Sequence, residues 1–144
     1  LKGIRVSGVI KMRKIEHIGI AVHDIEASNK VFTKIFGKES YKSESVQSES
    51  VITSFFQVGE SKIELVAATN QDSPIAKYLA KNREGMHHIA FDVVDIKSEM
   101  KRLQSEGIRT LNDQPKQGAD NKLICFLHPK DTNGVLIELC QEIG

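Results

Sequence analysis

Two segments of the chain alternate between large apolar residues and small or polar ones, as half-buried β-strands do. In residues 15–22 the even positions from 18 onward are isoleucine or valine, and the odd positions are His17, Gly19 and Ala21. Residues 88–93 repeat this pattern, beginning with His88 and Ala90 on the small-residue side. We predict that one face of each strand packs on the core. The other face, with a histidine beside small residues, leaves room for a ligand.

A helix is predicted after each of these strands. Asp24 and Asp95 are in place to cap the helix N-termini, and Gly37 and Gly107 are typical stop residues. The apolar stripes that would pack on the sheet are Ile25, Phe32, Ile35 and Phe36 in the first helix and Ile96, Met100 and Leu103 in the second. A Ser-Pro pair at 73–74 predicts the start of a further helix between the two segments.

The two strand–helix segments belong to a longer internal repeat. Residues 17–25 match 88–96 at an offset of 71, and residues 63–65 match 137–139 at an offset of 74. β-Rich runs follow each helix. A repeat of this length indicates two copies of one supersecondary unit rather than a solenoid. We therefore predict an α+β fold made of two tandem βαβββ modules with helices on one face of the sheet.

These patterns predict the domain organisation. Residues 1–13 are assigned to an N-terminal extension, and residues 14–144 to a single domain. Within that domain we expect a first module at 14–68, a linker helix at 69–85 and a second module at 86–142. The total of 144 residues is too short for two full-sized domains.

Composition narrows the classes of function. The chain has 20 Lys and Arg against 19 Asp and Glu, so it lacks the basic excess of a nucleic-acid-binding protein. No apolar run approaches the roughly 20 residues of a membrane-spanning helix. Cys125 and Cys140 lie in apolar runs without a nearby partner in the sequence, which is typical of buried free thiols in a reducing compartment. We accordingly expect a cytoplasmic protein that binds neither nucleic acid nor membrane.

The repeat also pairs four residues that can bind a metal. His17 and His88 occupy equivalent places, and Glu64 and Glu138 interrupt equivalent apolar strands. A pseudo-twofold axis would bring two imidazoles and two carboxylates to one point, which suits a divalent first-row metal. The repeat selects His88 over its neighbour His87, and strand alternation places His87 on the opposite face of the sheet.

Four segments carry a family resemblance: 17–22, 72–79, 85–90 and 128–139. The Asp-Ser-Pro-Ile-Ala start of the second and the His-Pro-Lys and Gly-Val-Leu-Ile-Glu parts of the last are the specific ones. Together they resemble the methylmalonyl-CoA epimerases of the vicinal oxygen chelate superfamily, which also contains the glyoxalases. The resemblance implies a glyoxalase-like fold whose two modules form a metal-centred cleft.

The resemblance also implies the site and the reaction. The family's metal ligands fall on His17, Glu64, His88 and Glu138, with cobalt, zinc, nickel or manganese as the ion. The implied activity interconverts the C2 epimers of methylmalonyl-CoA, an acyl-CoA substrate, through an enolate. Glu138 and Glu64 are expected to be catalytic, and the protein is expected to be a homodimer.

Three points stay open at this stage. Some epimerases use a further glutamate as a base where this sequence has Thr53, so one proton-transfer group is undetermined. Lys130 and residues 118–122 are candidates for coenzyme A phosphate contacts by position only. The same ligands also fit a glyoxalase I-type lactoylglutathione lyase or another metalloenzyme of the superfamily, such as a ring-cleaving dioxygenase. Drug-binding relatives of the bleomycin-resistance kind typically lack these ligands.

Overall fold

The architecture consists of a curled eight-stranded sheet with three α-helices, in a computed structural model that describes residues 12–144. The strands are β1 Met12–Ala21, β2 Lys42–Val46, β3 Val51–Val58, β4 Ser61–Ala68, β5 Gly85–Val93, β6 Lys116–Gln117, β7 Lys122–Phe126 and β8 Ile137–Glu142. The helices are α1 Ile25–Phe36, α2 Pro74–Lys81 and α3 Ile96–Ser105. β1 begins within the predicted N-terminal extension, the rest of which lies outside the described residues. None of these helices has the length and apolar character needed to cross a membrane.

The order of strands across the sheet is β2-β3-β4-β1-β5-β8-β7-β6. In each half the first strand runs parallel to the last, as β1 does to β4 and β5 to β8, and the remaining pairs are antiparallel. Because parallel neighbours need a crossover connection, a helix follows the first strand of each half. The same pairing pattern therefore occurs twice, which confirms the predicted α+β fold of repeated βαβββ modules.

The two halves meet where β1 pairs with β5 in antiparallel fashion. In that pair Ile18 lies directly opposite Ile89. These two residues are equivalent in the internal repeat, since their numbers differ by the offset of 71. In an antiparallel pair of repeated strands, equivalent residues lie opposite each other only where the twofold axis crosses the pair. The pseudo-twofold axis therefore passes between Ile18 and Ile89.

The helices begin where the sequence predicts, after Asp24, Ser73 and Asp95, whereas the linker helix ends at Lys81, before the predicted bound at residue 85. Asp24 accepts a hydrogen bond from the backbone N–H of Ala27 at 3.1 Å, and Asp95 caps α3 in the same way. Gly37 ends α1 in the left-handed conformation, with φ of 71°. One part of the predicted stripe is wrong: Ile35 is 62% exposed.

Each long helix covers one part of the sheet. In the first half, Ile25, Phe32 and Phe36 of α1 pack against Phe56 and Leu65, both fully buried. In the second half, α3 contributes three apolar residues to a cluster that contains Cys125 and Leu139, the three being Ile96, Met100 and Leu103. These two helices cover one face of the sheet, and the histidines of β1 and β5 project from the opposite face.

The helix caps give a prediction for stability. Asp24→Ala removes the acceptor for an N-terminal amide of α1 and is expected to lower the free energy of unfolding by about 1 kcal/mol. Urea denaturation measures this change. Asp24→Asn is the matched control, because asparagine caps helices about as well as aspartate. If the alanine variant were as stable as the wild type, this cap would contribute nothing to α1.

Candidate metal centre

The register of the sheet places the four predicted ligands in two neighbouring rows, each built around a small residue. In one row Gly19 of β1 lies between Glu64 of β4 and His88 of β5. The other row has the same order and consists of Glu138, Ala90 and His17. Residues paired across a sheet project from the same face, so each row brings a carboxylate and an imidazole together above a residue that does not fill the space between them.

The two glutamates lie against the pair of histidines, between the two modules. The Nε2 atoms of His17 and His88 are 3.1 Å apart. Oε1 of Glu64 lies 3.2 Å from Nε2 of His17 and 3.4 Å from Nε2 of His88. Oε1 of Glu138 lies 3.5 Å and 3.2 Å from the same two nitrogens. The sequence-predicted residues are therefore brought together, two from each module.

Three of these residues, His17, His88 and Glu138, have donor atoms close enough together to hold one metal ion, and Glu64 lies against both histidines. An ion held by such ligands at about 2.0–2.2 Å keeps neighbouring donor atoms about 3.0–3.6 Å apart. The five separations above, from 3.1 to 3.5 Å, fall in that range. Two imidazole nitrogens and two carboxylate oxygens are also ligands that first-row divalent ions accept.

The charges of the site also favour a bound cation. Burial by itself raises the pKa of Glu64 and of Glu138, yet the hydrogen bonds and charges of the two histidines hold both pKa values well below the ordinary range. Burial lowers the pKa of His88, but its bonds to Glu138 and Glu64 outweigh this and raise the pKa above the usual value. Two buried carboxylates thus require positive charge between them, and a divalent cation supplies such charge.

Gly19 is required for this packing. A Cβ atom at this position would lie 2.0 Å from Cε1 of the His88 ring, closer than any real contact. All three of the nearest atoms belong to the His88 ring, so a larger residue here would displace that ring. Only glycine lets the imidazole of His88 lie across β1 and reach the centre.

Two β-bulges place further polar groups at the site. Between the pairs Ile15–Phe91 and His17–Ala90, β1 has one extra residue, Glu16. A bulge of this kind interrupts the alternation of side chains and redirects the extra residue. Glu16 is consequently buried on the same side as His17, and its Oε1 lies 2.7 Å from Nδ1 of that histidine. Strand alternation gave no signal for this contact.

The second bulge corrects the prediction for His87. Between the pairs Gly19–His88 and Ile20–Met86, β5 has one extra residue, which is His87. Its Nδ1 lies 2.9 Å from Nδ1 of His88, so the prediction that it faces the opposite side of the sheet is wrong. Burial, together with the charge of His88, lowers the pKa of His87 to about 4, which keeps this imidazole neutral.

The four ligands form part of the wall of a cavity of about 320 Å³. Most of the remaining wall is apolar and comes from both modules: Val46, Val51, Phe55, Val66, Ile75, Leu111, Ile124, Phe126 and Leu136. Thr53 also lines the cavity, and its hydroxyl donates to the carbonyl of Glu44 at 3.2 Å. Residues Gly118 to Asp120 and Lys122 border the same space, whereas Lys130 does not line it.

Comparison with known proteins identifies the family. The family model described as the Glyoxalase/Bleomycin resistance protein/Dioxygenase superfamily matches residues 16–126. Human mitochondrial methylmalonyl-CoA epimerase is 37% identical over 139 residues, covering 95% of this chain and 79% of the relative. The chain belongs to the methylmalonyl-CoA epimerase family of this superfamily. The resemblance seen in the sequence is thereby confirmed.

Two further members extend the likeness. An ethylmalonyl-CoA/methylmalonyl-CoA epimerase of Cereibacter sphaeroides is 39% identical over 130 residues, which are 89% of this chain and 97% of that protein. The solved structure of a variant Streptomyces coelicolor methylmalonyl-CoA epimerase, in complex with 2-nitronate-propionyl-CoA, superposes with a TM-score of 0.88. It is 36% identical and covers 92% of this chain and 96% of its own. This epimerase-family chain therefore shares sequence and fold over nearly its whole described length.

The clearance at Gly19 gives a prediction for metal binding. Gly19→Ala is expected to push the His88 ring off the centre and to weaken binding of Co²⁺ or Zn²⁺ by about tenfold or more. Competition with a chromophoric chelator measures the affinity. The far-ultraviolet circular dichroism of the metal-free variant controls for loss of fold. Wild-type affinity in a folded Gly19→Ala protein would contradict this role of the glycine.

Proposed function

We propose that this chain is a metal-dependent epimerase that interconverts the C2 epimers of methylmalonyl-CoA. The observation that carries the proposal is the convergence of His17, Glu64, His88 and Glu138 in the wall of a largely apolar cavity. Membership in the epimerase family supports the acyl-CoA substrate. We propose the same four residues as the metal ligands and leave the identity of the ion among cobalt, zinc, nickel and manganese to experiment.

The reaction requires removal of a weakly acidic proton. C2 of methylmalonyl-CoA lies between a thioester carbonyl and a carboxylate, and loss of its proton leaves an enolate with negative charge on the thioester oxygen. A bound divalent ion would act as a Lewis acid that neutralises this developing charge. Apolar side chains beside the ligands would lower the local dielectric around a bound thioester, which would strengthen such electrostatic stabilisation.

Epimerisation requires proton transfer on both faces of the planar carbon. Glu64 and Glu138 come from different modules and approach the centre from opposite sides of the pseudo-twofold axis. Each directs Oε1 to the histidines, so its second oxygen is the one we assign to proton transfer. We propose Glu138 as ligand and base or acid, with Glu64 as its counterpart. The hydroxyl of Thr53 is a poor replacement for a carboxylate base.

The metal requirement has a direct test. Adding Zn²⁺ or Co²⁺ to chelator-treated protein is expected to raise the unfolding temperature, because an ion that binds only the folded state stabilises it. The gain is about 2.7 kcal/mol when the free ion is 100 times its dissociation constant. Differential scanning calorimetry measures the shift. The variant His17→Ala, with one ligand removed, should show a smaller shift, and an unchanged wild-type transition would contradict the site.

The catalytic roles have a separate test in deuterated water. The metal-loaded wild type should exchange the C2 proton of methylmalonyl-CoA for deuterium as it epimerises, which proton NMR follows directly. Glu138→Gln should lower the rate by about 100-fold or more, since an amide is not a usable base. Glu99→Gln is the matched control, because Glu99 is a buried acid on α3 that pairs with Arg102 and does not line the cavity.

Each possible result of the exchange experiment would contradict a different part of the proposal. Glu64→Gln with full activity toward both epimers would leave Glu64 as a ligand only. Full activity of Glu138→Gln at matched metal content would contradict its proton-transfer role. A loaded wild type without exchange at C2, which instead converts methylglyoxal and glutathione, would replace the epimerase with the lactoylglutathione lyase alternative.

Two further expectations belong to the proposal. We expect a homodimer, which light scattering during gel filtration measures, and a cytoplasmic location, which fractionation of the source cells measures. The free thiols of Cys125 and Cys140, both buried, are compatible with a reducing compartment.

A further inference from the structure

Two of the three register irregularities in the central strand pair lie at equivalent places in the internal repeat. Glu16 and His87 differ by the same offset of 71 that relates His17 to His88. Each immediately precedes a proposed ligand and contacts the Nδ1 atom of that ligand, at 2.7 Å for Glu16 and 2.9 Å for His87. The same arrangement therefore occurs twice. In each case a bulge turns the residue before the histidine toward the Nδ1 atom of that histidine.

The two copies of this arrangement differ in chemistry. His87 brings an imidazole to His88, whereas Glu16 brings a carboxylate to His17. Glu16 is only 3% exposed, and its other oxygen, Oε2, receives the ammonium of Lys62 at 2.7 Å. Lys62 is held in turn by Asp120, also at 2.7 Å. Both carboxylate oxygens of Glu16 are therefore held by neighbouring side chains.

From this geometry we propose that Glu16 is a positioning residue for the metal centre. It accepts the Nδ1–H of His17, selects the tautomer with an unprotonated Nε2, and aims that nitrogen at the other three ligands. A carboxylate behind a ligand histidine also increases the electron density on the metal-binding nitrogen. The inference rests on the proposed metal site but not on the identity of the substrate.

The Lys62 contact explains how Glu16 keeps one orientation. Lys62 is paired with His17 across β1 and β4, so its chain runs beside the histidine and its ammonium reaches Glu16 from the same side. Lys122 adds a weaker contact to the same oxygen at 3.8 Å. Because these cations bind Oε2, Oε1 remains directed at His17.

The first experiment measures Zn²⁺ affinity without substrate. Glu16→Gln retains an acceptor oxygen but loses the charge, and we expect its affinity to fall about 10- to 100-fold. Glu16→Ala loses both and should bind more weakly still. Glu99→Gln, a buried acid-to-amide change away from the centre, should keep wild-type affinity. Folded Glu16→Gln and Glu16→Ala variants with wild-type affinity would overturn the proposal.

A second measurement stands even if the variants fold poorly. Long-range ¹H–¹⁵N spectra of the zinc-loaded wild type report the tautomer of each histidine, and we expect a protonated Nδ1 and a zinc-bound Nε2 for His17. Zinc on Nδ1 of His17 would overturn the proposal, as would a wild type that binds no zinc. The protein could bind zinc normally with the expected tautomer and still lack epimerase activity. That result would contradict the proposed substrate and would still support the role of Glu16.

Discussion

The antiparallel pairing of β1 with β5 is the interaction on which the rest of the structure depends. It sets Ile18 opposite Ile89, and the pseudo-twofold axis between these residues brings two distant parts of the chain to equivalent positions. Each strand then contributes a histidine on one side of the axis and a small residue on the other. The parallel neighbours β4 and β8 add one glutamate each in matching register. A shift of this pairing by one residue would turn the histidines to the opposite face and disperse the site.

Charge compensation is the second constraint, because the site buries more carboxylate than the core tolerates without partners. Glu64 and Glu138 face the two imidazoles, while Glu16 faces both His17 and Lys62. Lys62 in turn binds Asp120 from the other module. The polar centre therefore also ties the modules together, so the groups proposed to hold the metal and those that stabilise the interface belong to one network.

Much of the fold was predictable because its signals are local. Alternation along 15–22 and 88–93, the capping aspartates and the Ser-Pro pair each act within a few residues, and the structure shows the strands and helices that they predict. Ile35 shows the limit of such reasoning. Its spacing matches the apolar stripe of α1, yet only Ile25, Phe32 and Phe36 of that helix pack on the core, and Ile35 stays exposed.

The sequence by itself determined the repeat and, through it, which four side chains belong together, because equivalence under a twofold axis follows from matching positions alone. Only the tertiary structure decided which residues contact the Nδ1 atoms of the two histidines. The bulges at Glu16 and His87 break the alternation that sequence reasoning assumes, and they arise from how β1 and β5 fit against each other, not from either strand alone. The need for Gly19 has the same origin, since the atom that would clash with its Cβ belongs to a histidine 69 residues away.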